Sequence, residues 1–286
     1  MKTIRIVTLV VLASGITLNP IMAINVMSLE DAVKKGLIKL FIKSKGGYSG
    51  EVIEMKIKNS SNKNLDFKLE TGRKLDSKNN AEQDILVTKP QEFNVCGGQT
   101  RTINVFGMCC QAHNMCPLEN SEYSIGTMAD STLIKLAMFI DKNKYYTNSS
   151  AQQAVWTVSD NNSLGSITDG NKVDVNNLRN FVSKITGKTI PPYEITYCRE
   201  NNRDLCGRVK TIEGTFDYAL PDNTHVTIGI YNADGVLVQS LFENIEHGKG
   251  NYKLYYTFHT INLPQGIYYA RMASDDGTKK EMKIEF

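Results

Sequence analysis

Leu37-Ile38-Lys39-Leu40-Phe41-Ile42 and Val52-Ile53-Glu54-Met55-Lys56-Ile57 decide how the chain is built. In both runs apolar residues alternate with charged ones at period two, the signature of a strand with one buried and one wet face. Leu65-Asp66-Phe67-Lys68-Leu69 repeats the pattern, and Asp84–Val87, Glu92–Val95 and Thr102–Phe106 are shorter runs bounded by Gly, Asn, Pro or Ser. Regularly spaced short strands predict an antiparallel sandwich. Gly97-Gly98 reads as a hairpin turn within it.

The period then becomes helical. Asp130 or Ser131 can cap a segment to Asp141 that carries Leu133, Ile134, Leu136, Ala137 and Ile140 on one face. A second helix is expected after Asn148-Ser149-Ser150, through Trp156 and ending near Asp160. A third, Val175 to Ile185, stops at Gly187. Beyond Pro191-Pro192 and a polar segment, Cys198 to Cys206, read as an exposed loop or boundary, strand patterns return six or seven times. Asn232-Ala233-Asp234-Gly235 and Asp275-Asp276-Gly277 serve as turns. The expected class is mainly β (α+β): an N-terminal β-sandwich with a three-helix insertion, residues 24–197, followed by an immunoglobulin-like β-sandwich, residues 198–286.

At 286 residues the chain is long enough for two such domains, and 41% hydrophobic with 22% charged residues is an ordinary globular balance. Residues 1–23 read as a secretory signal peptide: Lys2 and Arg5, an apolar run from Ile6, and Ala23 before the polar mature chain. Ser14, Gly15, Thr17, Asn19 and Pro20 break that run too early for a membrane anchor, and no later stretch is apolar enough to span a bilayer. The expected location is secreted or at the cell surface, where disulfides persist. Without the leader, 31 basic residues face 30 acidic ones, a net +1. That balance excludes a nucleic-acid partner held by phosphate neutralisation.

Val226-Thr227-Ile228-Gly229-Ile230-Tyr231-Asn232-Ala233-Asp234-Gly235, Gly250-Asn251-Tyr252, Leu263-Pro264-Gln265-Gly266-Ile267-Tyr268-Tyr269 and Lys283-Ile284 carry a resemblance over roughly the last 80 residues. They resemble the type IX secretion sorting domain of Bacteroidetes, related to the FlgD-type immunoglobulin-like domain. The resemblance implies passage across the outer membrane by an export machinery, then release or surface attachment. The end, Lys283-Ile284-Glu285-Phe286, departs from the family's basic tail.

Six cysteines need placing: Cys96, Cys109, Cys110, Cys116, Cys198 and Cys206. Cys110-x2-His113-x2-Cys116 has donors at metal-like spacing but no second pair downstream, so no metal or cofactor is expected. A Cys110–His113 pair would make a Cys-dependent hydrolase. Cys198 with Cys206 would close a short disulfide loop, and Cys96 with Cys116 or Cys109 is open.

Ala151-Gln152-Gln153-Ala154-Val155-Trp156 holds the chain's one tryptophan. With Val105-Phe106-Gly107-Met108-Cys109-Cys110 ending a strand upstream and Pro117 soon after, it resembles the thioester domains of bacterial surface adhesins. There a helical Thr-Gln-x-Ala motif supplies a glutamine whose carboxamide is joined to an upstream cysteine. The resemblance implies Gln152 as that glutamine, Ala154 as the small residue allowing close approach, Trp156 as the cover, and Cys110 or Cys109 as the thiol, Cys110 being favoured. Ala151 stands where the motif has Thr, and Cys and Gln are closer in sequence than in many members. The expected function is an adhesin-like binding protein attached to target amines through this thioester, with a protein or glycan surface as partner. It is not an enzyme beyond that single acyl transfer. The alternatives are a non-covalent surface binding protein with disulfides only, and the hydrolase.

Overall fold

In the computed structural model, residues 26–200 and 204–286 are described, without the side chains of 199–207. The leader read at 1–23 and the tip of the Cys198–Cys206 segment lie outside the described residues, as does the Cys206 end of the expected bridge.

The alternating runs are strands. β2 (Ile38–Lys45) and β3 (Ser49–Asn59) follow a two-residue strand β1 (Met27–Ser28) and a short helix α1 (Leu29–Lys34). In β3, Ile53, Met55 and Ile57 are fully buried while Lys56 is exposed. Val52 is buried beside Ile53 because the pairing slips between Gly50 and Ile53, a bulge that turns two successive side chains inward.

Six strands, β2, β3, β5 (Arg73–Ser77), β6 (Ile85–Val87), β8 (Thr100–Cys109) and β9 (Glu119–Met128), close into a barrel in the order β2-β3-β8-β6-β5-β9. Closure leaves no free sheet edge. Beside it β1, β4 (Leu65–Leu69) and β7 (Gln91–Val95) form a three-stranded sheet, its Phe67, Phe93 and Val95 sharing the barrel's apolar cluster. The expected N-terminal sandwich thus has one layer rolled closed on itself.

The helical insertion comprises α2 (Ser131–Asn143), α3 (Ser149–Ser159) and α4 (Lys172–Thr186). Asp130, Asn148 and Asn171 cap them by accepting from the first-turn amides. Leu133, Leu136, Ala137, Ile140, Ala151, Ala154, Val155, Leu178 and Val182 pack with Leu86 of β6 and Met108 of β8, so the helices cover the outer face of those two strands. Both faces of β8 are therefore buried: Val105 and Cys109 point into the barrel, and Met108 faces the helices with Cys110 just beyond it. Gly107 permits this crowding, because a Cβ there would stand 2.3 Å from Ile85 Cγ2.

The C-terminal part has seven strands in two sheets: β10 (Tyr193–Glu200), β11 (Asp204–Leu220) and β14 (Gly250–His259) in one, β13 (Leu237–His247), β12 (Thr224–Asn232), β15 (Ile267–Ser274) and β16 (Lys279–Glu285) in the other. Phe216, Ile228, Phe258, Ala270 and Ile284 fill the space between them. Asn232 Oδ1 accepts from Asp234 and Val236 at the predicted turn. Tyr268 is buried and donates to the Pro264 carbonyl at 2.8 Å, while Tyr269 lies on the other face beside Arg271. The segment expected as a loop at Cys198 is instead strand: β10 pairs with β11, and Tyr193 and Ile195 belong to this second core. The second sandwich consequently starts at Tyr193.

Arg73 is a buried cation of the first domain. Its guanidinium forks onto Glu70 at 2.9 and 3.1 Å, donates to the Gly126 carbonyl at 2.9 Å and pairs with Glu30, tying α1 to β5 and β9. Removing one member of such a pair strands the rest. Arg73→Met should lower stability by about 3 kcal/mol in urea unfolding. Hydrogen bonds from Lys34 and Arg73 hold the Glu30 carboxyl below its usual range. Its contribution is present above the ordinary carboxylate value and lost as pH falls through the lowered one, so the gap between variant and wild type should narrow in acid.

Candidate functional site

The candidate cysteines and glutamine meet where β8 ends. The Cys109 N–H donates to the Tyr48 carbonyl at 2.9 Å and also to Gln152 Oε1 at 3.0 Å. Gln152 Nε2 donates back to the Cys109 carbonyl at 2.8 Å. The carboxamide thus continues the sheet as one extra peptide unit would, and Gln152 is 3% exposed. It is placed there by the first turn of α3, capped by Asn148. Ala151 and Ala154, both fully buried, let that turn lie close to the strand.

Gln152 is brought to Cys109 and not to Cys110. The Cys110 N–H goes to the Asp84 carbonyl at 2.8 Å, and its side chain joins the helical cluster. Alternation along the strand separates the two thiols: Cys109 belongs to the barrel cluster together with Trp156. Immediately after them Gln111 takes a left-handed φ of 66°, which turns the chain out of the sheet; its side chain is tied to Asp84 at 2.8 and 3.0 Å.

Trp156 shares the barrel's apolar cluster with Cys109. One helical turn beyond Gln152, it is 7% exposed, meets Tyr48 edge-on at a centroid distance of 5.9 Å and donates from Nε1 to Gln83 Oε1 at 2.9 Å. Gln83, absent from the sequence expectations, also donates to the Asn114 carbonyl at 3.1 Å and accepts at its own carbonyl from Tyr123 Oη at 2.9 Å. The neighbouring Gln153 has a different task. Its Oε1 accepts from the Thr168 and Asp169 amides at 2.7 and 3.1 Å, pinning the loop before α4. On the outer side of Trp156 lies a cleft of about 420 Å³, lined by Gln153, Asn162 and Thr168 of the first domain and Thr196, Tyr197 and Lys210 of the second.

Burial pushes both thiols up: Cys110 to about 12, with Cys109 also well above its ordinary value. A cysteine nucleophile for multiple turnover needs the opposite shift. His113 is 60% exposed, its Nε2 4.0 Å from Asp160 Oδ1. Among the described residues no group of three or more His, Cys, Asp or Glu is placed to hold a metal ion, and no helix is long and apolar enough to cross a membrane.

The unfolded chain ionises these thiols first, so their contribution to stability is full below pH 9.0 and is lost as pH rises toward about 12. Urea midpoints should therefore fall across that alkaline window. Under native conditions near neutral pH, iodoacetamide should modify the exposed Cys96 and spare Cys109 and Cys110. Rapid labelling of Cys109 or Cys110 would contradict the burial.

No protein-family model and no curated protein matches the chain. Among solved structures, a red sea bream transglutaminase aligns over 90% of this chain at 10% identity with a TM-score of 0.20. The chain spans about a third (33%) of the length of that protein.

Proposed function

We propose that the chain is an exported surface-displayed or secreted binding protein whose N-terminal domain attaches to target amines through an internal thioester between Cys109 and Gln152. What supports this most is the Gln152 carboxamide held, buried, against the Cys109 backbone, with Trp156 packed in the same apolar cluster as the Cys109 side chain. The Cys109 N–H already points at Oε1, the oxygen that gains negative charge when the carboxamide carbon is attacked. In the forming step Sγ bonds to Cδ, the Cδ–Nε2 bond breaks, and ammonia leaves with the thiol proton. A thioester is neutral and the low-polarity site tolerates it, whereas the same burial disfavours a free thiolate.

A target amine then reverses the logic. Its nitrogen bonds to Cδ, the Cδ–Sγ bond breaks, and the proton lost by nitrogen returns to sulfur, leaving an amide. The cleft outside Trp156 is the route by which a lysine of a target surface reaches the bond. The C-terminal sandwich, seven strands in two sheets with the Leu263-Pro264-Gln265-Gly266-Ile267-Tyr268 step at its last hairpin, fits a sorting or anchoring module that hands the protein to an outer-membrane export machinery.

One observation favours a non-covalent binding module instead: the two hydrogen bonds to Cys109 engage both ends of the Gln152 amide, and as a clasp between α3 and β8 they suffice. Mass spectrometry separates the two. The intact mature protein should weigh one ammonia less than its sequence and gain one methylamine at Gln152 on treatment. Cys109→Ala and Gln152→Ala should each abolish both signals, and Cys110→Ser should keep them. A protein of full sequence mass that never takes up methylamine would leave only the clasp.

A further inference from the structure

The wet face of β2, β3 and β8 carries its charge unevenly. Register places Lys39 directly opposite Lys58, with Thr100 on the far side of Lys58. In the next row Phe41 stands opposite Lys56, with Thr102 beyond it. All six alternate outward with their strands, and the Phe41 side chain is 57% exposed. Further along, the same face is balanced: Lys43 has Glu54 on one side and Glu122 on the other, and Lys45 lies 3.8 Å from Glu51. The Lys39–Lys58 corner lacks that balance. Among the described residues these two lysines make no ion pair, and Lys56 has one carboxylate, Glu54 at 3.3 Å. Like charges directly opposite on one sheet face destabilise it, so the arrangement costs the fold something and calls for an anion from outside.

We infer that this corner of the barrel binds an acidic polysaccharide, a chain of pyranose rings bearing carboxylates or sulfates. Strand spacing and rise put Lys39, Lys58, Lys56 and Phe41 on a rectangle of about 5 by 7 Å, the footprint of one sugar ring. The ring lays its apolar C–H face on Phe41. Its anionic groups meet the Lys39 and Lys58 ammonium groups and supply the counter-charge that the sheet withholds. Thr100 and Thr102 offer hydroxyls to those of the neighbouring sugar. A membrane surface fits less well, because Phe41 is a single apolar side chain among cations and hydroxyls, and binding to a bilayer scales with the apolar area it buries. The chain's near-neutral balance leaves little long-range attraction, so recognition rests on this local geometry. Thr100 and Cys109 lie at opposite ends of β8, about 30 Å apart, so a glycan held here and an amine captured there are two contacts with one target, the first raising the effective concentration of the second. The inference rests on the binding-protein reading above for what the glycan belongs to, and not on the thioester.

The test uses the full mature protein with fluorescently labelled oligogalacturonate and dextran sulfate, read by anisotropy at low salt. Wild type should bind one or both, and neutral dextran of the same length about tenfold more weakly. Lys39→Gln combined with Lys58→Gln should weaken binding about tenfold, and Phe41→Ala by a similar factor. Lys249→Gln combined with Lys279→Gln removes the same charge from the exposed surface of the second domain and should change nothing. Urea midpoints should hold in every variant, with a slight gain for the Lys39 and Lys58 pair as their repulsion is relieved, so that lost binding is not lost folding. Gln152→Ala should bind as wild type does. The inference is overturned if wild type binds neither acidic probe, if neutral dextran binds as well, if the lysine pair or Phe41→Ala binds in full, or if phosphatidylglycerol vesicles bind more tightly than either oligomer. If the acidic probes bind with this variant pattern and methylamine is never taken up, the glycan face stands and the thioester reading falls.

Discussion

The first domain depends on how the last residue of β8 is satisfied. Cys109 ends a barrel strand, yet its N–H and carbonyl are buried and need partners. The Tyr48 carbonyl serves the N–H from the neighbouring chain segment, and the Gln152 carboxamide serves both groups from α3. A buried carbonyl left unpaired costs about 1–3 kcal/mol. That side chain therefore fixes the register of a helix on a strand. The remaining contacts of the helical layer, from Ala151 to Val155, follow from the height at which Gln152 sets α3.

The same geometry is what supports the proposed chemistry. A carboxamide clasped to a cysteine backbone under an aromatic cover is protected from water, and proximity of this kind turns an otherwise negligible attack into an intramolecular event. Trp156, in the same helix as Gln152, packs into the apolar cluster that also takes the Cys109 side chain, so in the proposed reading cover and carboxamide move as one body. Its bond to Gln83 couples Trp156 to the Cys110–Pro117 loop through the Asn114 carbonyl.

Much of this was legible in the sequence, and the failures have physical causes. Alternation located β2, β3 and β4 because each has one wet face, and capping residues located the three long helices. β5 and β9 escaped notice because β5 buries Arg73 where a pattern would place an aliphatic, and β9 turns only Tyr123 and Ile125 toward the barrel in a run of Glu, Asn, Ser, Gly and Thr. Barrel closure depends on pairings distant in sequence, which no local period encodes. β10 was hidden behind Pro191-Pro192 and a charged stretch. The choice between Cys109 and Cys110 was illegible for a sharper reason. Both faces of β8 are buried, so Val105-Phe106-Gly107-Met108 is apolar at every step and gives no phase. Gln152 and Trp156 could be singled out only through their resemblance to an adhesin motif, and Gln83, which carries no motif, could not be connected to them at all.

A high-resolution crystal structure of freshly purified protein, grown without reductant or amine buffers, tests the central claim most directly. The account predicts continuous electron density from Cys109 Sγ to Gln152 Cδ at bonding distance, with no atom at the Nε2 position and Oε1 still facing the Cys109 N–H. A separate thiol and an intact carboxamide that keeps both hydrogen bonds to the Cys109 backbone would contradict it.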